Sequence, residues 1–471
     1  MLNKDSSGSS RSINMGELPH GAANPINGAP QDTVSSRIRG LKRENRGRPG
    51  QASQTPGESR SMAHMFTPLA GKRVIDLTHV LAGPYVTHIL RQLGADVIKI
   101  ERPGTGDVMR AGRPGQSPPG LGPQFIGLNA GKRSLALDIK DRRGQDILRR
   151  LIADADVLVE NLRPGELRRL KFDYDTLSAT NPGLVYCSVS GWGQSGAFAD
   201  RAGYDQAIQA ATGVMMMQGE PGEPPLKVGF PAIDIATGMN GACAVLSALL
   251  ERQRTGKGCR IDVAMADSAL MLMIGPTATW TVGRIPGERF GNRSLASSPT
   301  SGVFATADGW LSVAANTPEQ GYRALEIIGQ PALRHDPRFA LAGSKGGFFV
   351  VADLDGARAA FAAGLRQGTA DHWETAFNAA GIASAKIRTI DGYLDGAYRQ
   401  TPGILHRIDA QPGYDRPIET PGAGFRVNDV AAGVAEPAPR LGADSRTVLL
   451  ELGLSPDEIV ELDRDKVVQM T

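Results

Sequence analysis

Cysteine, histidine and tryptophan are scarce here: the 471-residue chain has 3, 7 and 4 of them. Cys187, Cys243 and Cys259 are odd in number and lack metal-ligand spacing. They exclude a disulfide framework and fit a reducing cytoplasm. The histidines form no HExxH-like pair, so no metal site is expected. Neither sign of charge dominates, with 52 Lys+Arg against 49 Asp+Glu. A net charge of +3 is too small to suggest a nucleic-acid partner. Uninterrupted apolar runs are short. Ala244–Leu250 and Ala269–Gly275 fall far below the ~18–20 residues of a membrane span, so no membrane partner is expected.

The basic excess is local. Residues 1–65 carry 9 Lys/Arg and 5 Asp/Glu, and the rest of the chain carries 43 and 44. Gly, Ser and Pro make up 23 of those 65 residues; Leu, Ile, Val and Phe make up 7, and none is aromatic. Such a stretch cannot bury enough apolar surface to offset its chain entropy. A disordered extension is expected, with Met62 or Met65 as the natural start. A transit or interaction tail is the alternative, although acids, Gly and Pro interrupt any amphipathic helix. Without an aromatic for base stacking, a nucleic-acid role for the tail is weak.

From Gly71 the pattern becomes regular. Arg73–Leu77 reads as a buried strand, residues 85–94 as a helix and Ala95–Ile100 as the next strand. Ser134–Asp138, Val157–Asn161, Leu184–Val189 and Arg260–Met265 are further strands. Gly144–Ala155 and Gly238–Arg252 are helices, the first with Ile147, Leu148, Leu151 and Ile152 on one face. This alternation predicts an α/β fold: a large Rossmann-like, doubly wound, mostly parallel sheet. Residues 266–300 and 391–430 are rich in Gly and Pro and read as linkers. Between them, 301–390 reads as an inserted small α+β domain opening on a hairpin at Asp308-Gly309. The large domain thus comprises 66–265, and 431–471 returns to it as two short helices, Ser445–Leu452 and Ser455–Val468. Ser455 and Glu458 have the spacing of a capping box.

A loop between a strand and a helix start is a common place for a phosphate. Here the loop is Thr78-His-Val-Leu-Ala-Gly-Pro84, without the GxGxxG of a dinucleotide site. Glu101 stands where a ribose-reading acid would, and Arg102 or Arg110 could fork onto a phosphate. The alternative is a solvated Glu-Arg pair. Asp234 follows an apolar run and precedes a helix. It reads either as that helix's N-cap or as a nucleophilic carboxylate near amides that could stabilise an oxyanion.

Taken in order, the motifs resemble those of the class III coenzyme A transferase family, which includes formyl-CoA and carnitine-type transferases and α-methylacyl-CoA racemases. The matching strings are Asp76-Leu-Thr-His-Val-Leu-Ala-Gly-Pro84, Gly94-Ala-Asp-Val-Ile-Lys-Ile-Glu-Arg102, Gly131-Lys-Arg-Ser-Leu-Ala-Leu-Asp138 and Ala155-Asp-Val-Leu-Val-Glu-Asn-Leu-Arg-Pro-Gly165. Ser190-Gly-Trp-Gly-Gln-Ser-Gly196, Arg201-Ala-Gly-Tyr-Asp205, the Asp234 segment, Arg254-Thr-Gly-Lys-Gly258, Thr306-Ala-Asp-Gly309, Arg440-Leu-Gly-Ala-Asp444 and Glu451-Leu-Gly-Leu454 follow. The likeness covers roughly residues 68–468.

The resemblance implies an interlocked homodimer that moves CoA between an acyl-CoA and a small carboxylic acid. CoA is a substrate, and no tightly bound cofactor is implied. Asp234 takes the position of the family nucleophile. CoA would be held near Leu81, Ala82, Arg102, Leu137 to Lys140, Asn161, Leu162, Arg163 and Arg169. His79 and Tyr204 would lie against the substrate, or else be packed residues. The racemase branch carries a His where this chain has Tyr204, and Tyr is a poor base at neutral pH. That favours a transferase over a racemase, and Asp234 with intact surroundings argues against a non-catalytic CoA- or nucleotide-binding protein. Residues 289–301 lack the glycine run of formyl-CoA transferases, and Gly112 stands where those enzymes have a tryptophan. Both features weigh against oxalate. Arg293 could read a second carboxylate, as of succinate; a surface arginine is the alternative.

Overall fold

Short runs of β-branched and aliphatic residues, each followed by a helical stretch, build the principal sheet. In the computed structural model, which describes residues 66–471 except 113, 114, 116, 343–346 and 402, six strands run parallel. They are β1 (Arg73–Leu77), β2 (Asp96–Glu101), β3 (Arg133–Leu137), β4 (Val157–Glu160), β5 (Val185–Ser190) and β6 (Cys259–Ala264). The helices up to residue 283 are α1 (Ala82–Gln92), α2 (Pro123–Asn129), α3 (Arg142–Ala153), α4 (Glu166–Arg169), α5 (Tyr174–Ser178), α6 (Asp205–Ala211), α7 (Ala232–Thr255), α8 (Met265–Leu272) and α9 (Ile274–Gly283). The sheet order is β3-β2-β1-β4-β5-β6, with a C-terminal strand, Val468–Gln469, antiparallel beside β3. The mostly parallel, doubly wound sheet is therefore present. The expectations for residues 1–65 lie outside the described residues.

Strand alternation divides the sheet into two faces. Val74, Val97, Val157, Val159 and Val185 pack against α1 and α7, through Val86, Leu90, Ala242, Val245 and Leu249. Ile75, Leu77, Ile98, Ile100, Leu135 and Leu137 point the other way. They meet Ile147, Leu148, Leu151 and Ile152 of α3 and residues 448, 449, 459 and 462 of the last two helices. α1 and α7 approach closely because Gly238 and Gly241 leave room. A Cβ on Gly238 would stand 2.7 Å from Tyr85, and one on Gly241 2.7 Å from Val86. Among the described residues, α7 alone is long and apolar enough to cross a membrane. Here its Ile233, Ala242, Val245 and Leu249 are buried in the protein.

Residues 301–390 carry a second sheet: β7 (Ser301–Ala305), β8 (Trp310–Ala314) and β9 (Ser384–Lys386). The hairpin expected at Asp308-Gly309 joins β7 to β8. This sheet has its own apolar cluster around Phe304, Leu311, Phe349, Phe361 and Phe377.

Three local expectations need correction. Residues 266–300 are not plain linker, because α8 and α9 occupy the first part. α7 begins at Ala232, six residues earlier than the periodicity suggested. The last helix is Pro456–Arg464, with the expected capping box, and does not reach Val468. Beyond it, Lys466 adopts φ +59°, and Val468 pairs with Leu137 along the open edge of β3. Covering that edge outweighs further helix.

Candidate active site

In an open α/β sheet, ligands bind beyond the carboxyl ends of the strands, where the winding direction changes. That point here lies between β1 and β4. The two loops leaving it are clipped together. Asn161 donates Nδ2–H to the His79 carbonyl at 2.8 Å, and its Oδ1 accepts the His79 N–H at 2.9 Å. Between them, Val80 holds φ +68°, a costly conformation for a β-branched residue. Gly83 lets the loop close, since a Cβ there would meet Thr78 at 2.6 Å and Asn161 at 3.1 Å.

A buried charge network supports this loop from below. Asp76 and Lys99 are cross-strand neighbours on the face covered by α1. Asp76 accepts bonds from Thr78, Thr87 and Lys132, the last at 3.0 Å. Burial opposes its charge, but Lys132, Lys99 and the two hydroxyls hold its carboxyl far below the ordinary range. Lys132 is itself pulled down to about 8, chiefly by burial. Lys99 donates to the Thr78 carbonyl at 2.6 Å and pairs with Asp107 at 3.2 Å. Asp107 in turn accepts the Val80 N–H at 3.3 Å. Burial and the Lys99 charge lower the His79 pKa, so its ring is neutral at pH 7.

Glu101 is neither a ribose reader nor a solvated partner of Arg102. It is buried, and Arg110 forks onto it at 2.7 and 2.6 Å. The Arg110 guanidinium is thereby withdrawn from any phosphate.

Asp234 is not an N-cap. It is the third residue of α7, whose start is capped by Asp205 of α6. Asp205 Oδ2 accepts the N–H groups of Ile233 at 2.7 Å and Asp234 at 3.1 Å. Those amides are therefore unavailable to an oxyanion, contrary to the expectation from sequence. Gln209 donates to the other Asp205 oxygen and accepts the Val228 N–H at 2.9 Å, fixing the clamp. The Asp234 side chain is left without a hydrogen-bond partner among the described residues. Burial, then the neighbouring Asp205 charge, pushes its pKa up to about 7.

Nine of the anticipated residues share one cavity of about 460 Å³: His79, Leu81, Ala82, Asn161, Leu162, Arg163, Arg169, Tyr204 and Asp234. The wall beside Tyr204 forms where Gly191 and Gly203 abut; a Cβ on Gly191 would stand 2.6 Å from the Gly203 Cα. A cavity of this volume, holding one high-pKa carboxylate and several arginines, suits an anionic substrate and covalent chemistry.

The model of CoA-transferase family III matches residues 69–445. The chain belongs to this family. It is 31% identical to the succinyl-CoA:glutarate CoA-transferase of Mus musculus over 88% of this chain and 92% of that one. It is 36% identical to the acetyl-CoA:oxalate CoA-transferase of Acetobacter aceti over 76% of this chain and 92% of that one. A CAIB/BAIF family protein from Brucella suis has a similar solved structure, with TM-score 0.71 and 32% identity, covering 82% of this chain and 99% of that one.

In this family III CoA-transferase, three anticipated CoA contacts stand outside the Asp234 cavity. Leu137 is 1% exposed in the sheet core, so its side chain offers no ligand surface. Lys140 is exposed on the turn after β3, and Arg102 lines a different cavity. Arg293 pairs with Asp355 at 3.3 Å and does not line the Asp234 cavity. Two residues were missed. Arg201 joins Arg163 and Arg169 at the cavity and stacks on Phe198, 3.8 Å from the ring centroid. Asp205 stands in the Arg201-Ala-Gly-Tyr-Asp205 string with no role of its own legible there. An acid 29 residues before Asp234 carries no local signal, because α6 and α7 meet only in the fold.

The Asp205 clamp makes a prediction. Asp205→Asn keeps an acceptor for the α7 amides and removes the like charge. With Asp234, raised to about 7, as the nucleophile, the acidic limb of the kcat profile is expected to move down by roughly 0.5–1 pH unit. An unmoved limb would show that the Asp205 charge does not tune Asp234.

Proposed function

We propose that this transferase moves CoA from an acyl-CoA to a small dicarboxylic acid through a covalent thioester on Asp234. The observation that carries this reading is the Asp234 carboxyl itself, without a hydrogen-bond partner among the described residues, partly buried, and opening on a cavity that three arginines also line. The acceptor class rests on relatives named for glutarate and oxalate.

Ionised Asp234 attacks the thioester carbonyl. The acyl–oxygen bond forms, the carbon–sulfur bond breaks, and CoA leaves as thiolate. The thiolate then attacks the aspartyl carbonyl of the mixed anhydride, forming aspartyl-CoA thioester and releasing the donor acid. The acceptor carboxylate repeats both steps in reverse, regenerating Asp234. The thioester's free energy is kept throughout, provided water is excluded from the anhydride. Arg163, Arg169 and Arg201 supply positive charge for CoA phosphates and acid carboxylates, since guanidinium forks match both. Tyr204, 72% exposed at the start of α6, lines the cavity and can donate to a substrate carboxylate.

A homodimer is part of this reading. α9 has no buried residue, yet Ile274, Trp280 and Val282 are apolar and exposed, and Leu270, Met271 and Leu272 of α8 extend the patch. So many exposed apolar side chains on one stretch of chain call for a partner, and a second copy is the proposed one.

Neutral His79 in the Asp234 cavity keeps a second reading in view: the pair could move an α-proton, as in a racemase. Incubation with acyl-CoA, quenching with hydroxylamine or borohydride, and peptide mass spectrometry separate the two. Modification at Asp234 is the expected result. No adduct across a panel of acyl-CoAs, together with α-proton exchange into solvent, would replace the transferase by the racemase.

A further inference from the structure

The lining of the Asp234 cavity has two origins in the chain. Every anticipated CoA contact found there, Leu81, Ala82, Asn161, Leu162, Arg163 and Arg169, stands on the segment after β1 or the segment after β4. Another wall comes from the end of β5 and from residues 200–204 before α6. In the sheet, β5 lies beyond β4, away from β1. A thioester held by the β1 and β4 segments leaves the β5 wall to the acids that exchange on it.

That wall carries one cation, Arg201. Its guanidinium stands over the Phe198 ring, 3.8 Å from the centroid. Phe198 meets Trp192 edge to face, with centroids 5.6 Å apart. Trp192 donates Nε1–H to the Ala202 carbonyl at 3.4 Å, and the Arg201 N–H bonds the Phe198 carbonyl at 2.9 Å. Backbone and aromatic shelf together restrain a side chain that otherwise samples many rotamers. Arg201 has no carboxylate partner among the described residues; Asp200, its neighbour in the chain and in the lining, forms no ion pair with it. Stacking covers the face of a guanidinium and leaves its N–H edge free to fork onto a carboxylate.

The charge balance changes once the nucleophile is loaded. In the aspartyl-CoA thioester Asp234 is uncharged, and the lining then holds Arg163, Arg169 and Arg201 against Glu166 and Asp200. A diacid reacts through one carboxylate and brings a second into the cavity, where a charge without a partner is costly. Arg293, the residue offered for this task by the sequence, is spent on Asp355.

Resting on the CoA-transferase reading above, we propose that Arg201, seated on Phe198, binds the carboxylate of the acceptor that does not react, and so selects dicarboxylic over monocarboxylic acids. Tyr204, three residues on, is left for the reacting carboxylate. Arg201 makes and breaks no bond in this role; it sets specificity.

Glutarate and pentanoate test this, because they share a five-carbon chain and differ in a terminal carboxylate against a methyl group. With acetyl-CoA as donor, the wild-type KM for glutarate is expected to be roughly 10- to 100-fold below that for pentanoate. Arg201→Gln should raise the glutarate KM enough to bring the two acids within about twofold of each other. Arg201→Lys should restore part of the preference. Phe198→Leu keeps the charge, removes the shelf and should weaken the preference by a smaller factor. A structural fault raises KM for both acids alike and preserves the preference. That result, an unchanged glutarate KM in Arg201→Gln, or a wild-type protein without the preference overturns the proposal. Calorimetric titration of the CoA-loaded protein with the two acids reads the same discrimination without turnover. Failure of the aspartyl mechanism in the trapping experiment is thus distinguishable from failure of this assignment.

Discussion

Replacing Asp234 by Asn is expected to lower kcat for CoA transfer by roughly 10³-fold or more, with CoA binding retained. The amide keeps the volume and the α7 geometry, since the clamp from Asp205 acts on backbone N–H groups. What is lost is the nucleophilic oxygen, and no other step of the proposed cycle can replace it. Asp234→Glu keeps the carboxylate but moves it by a methylene, and a misplacement of about 1 Å costs on the order of 10²-fold. Steady-state kinetics beside calorimetric CoA binding checks both variants. Near wild-type turnover in Asp234→Asn would end the nucleophile assignment. The wild-type profile carries a further mark of the same group. Its pKa is raised to about 7, so the reactive anion is scarce at pH 5.5 and dominant at pH 8. Activity is expected to rise across that window.

Lys132→Met should produce the largest loss of stability, about 3–5 kcal/mol, read as a fall in the urea midpoint. The ammonium is fully buried and divides its three hydrogens among Asp76, Thr87 and the Pro84 carbonyl, at 3.0, 2.7 and 3.1 Å. Removing it takes from the buried Asp76 carboxylate its only ion-pair partner among the described residues, leaving the Thr78 and Thr87 hydroxyls and the charge of Lys99, whose ammonium is bonded to the Thr78 carbonyl and Asp107. Adding Asp76→Leu to Lys132→Met is expected to restore much of the loss, since the pair is costly mainly when broken. A midpoint within about 0.5 kcal/mol of wild type for the single variant would show that Asp76 carries no net charge in the fold. The same network positions Thr78 to Leu81, so partial loss of CoA affinity should accompany the loss of stability.

Local pattern reached far into this molecule. Apolar runs of four to six residues, spaced by helical repeats, are enough to specify parallel strands, because only crossover helices can connect them. The capping box at Ser455 and the turn at Asp308 are short-range chemistry and were legible for that reason. The apolar faces of β1 and β2 also follow from alternation, which places Asp76 and Lys99 on a buried face among valines. That each would find a partner follows from the cost of burying a lone charge. Which partner it finds does not.

Those choices belong to the tertiary structure. Asp234 resembled a cap, and only the meeting of α6 with α7 makes Asp205 the cap and leaves the Asp234 carboxyl free. Glu101 and Arg110 resembled ligand-binding groups, but the fold turns them on each other. The strand at Val468 looked helical until the open edge of β3 was in place to receive it. By itself, the sequence determined the sheet, its winding and the family. Contacts between residues distant in the chain decided which charged groups are consumed inside the protein and which stay available to a substrate, because burial and pairing are properties of neighbours in space.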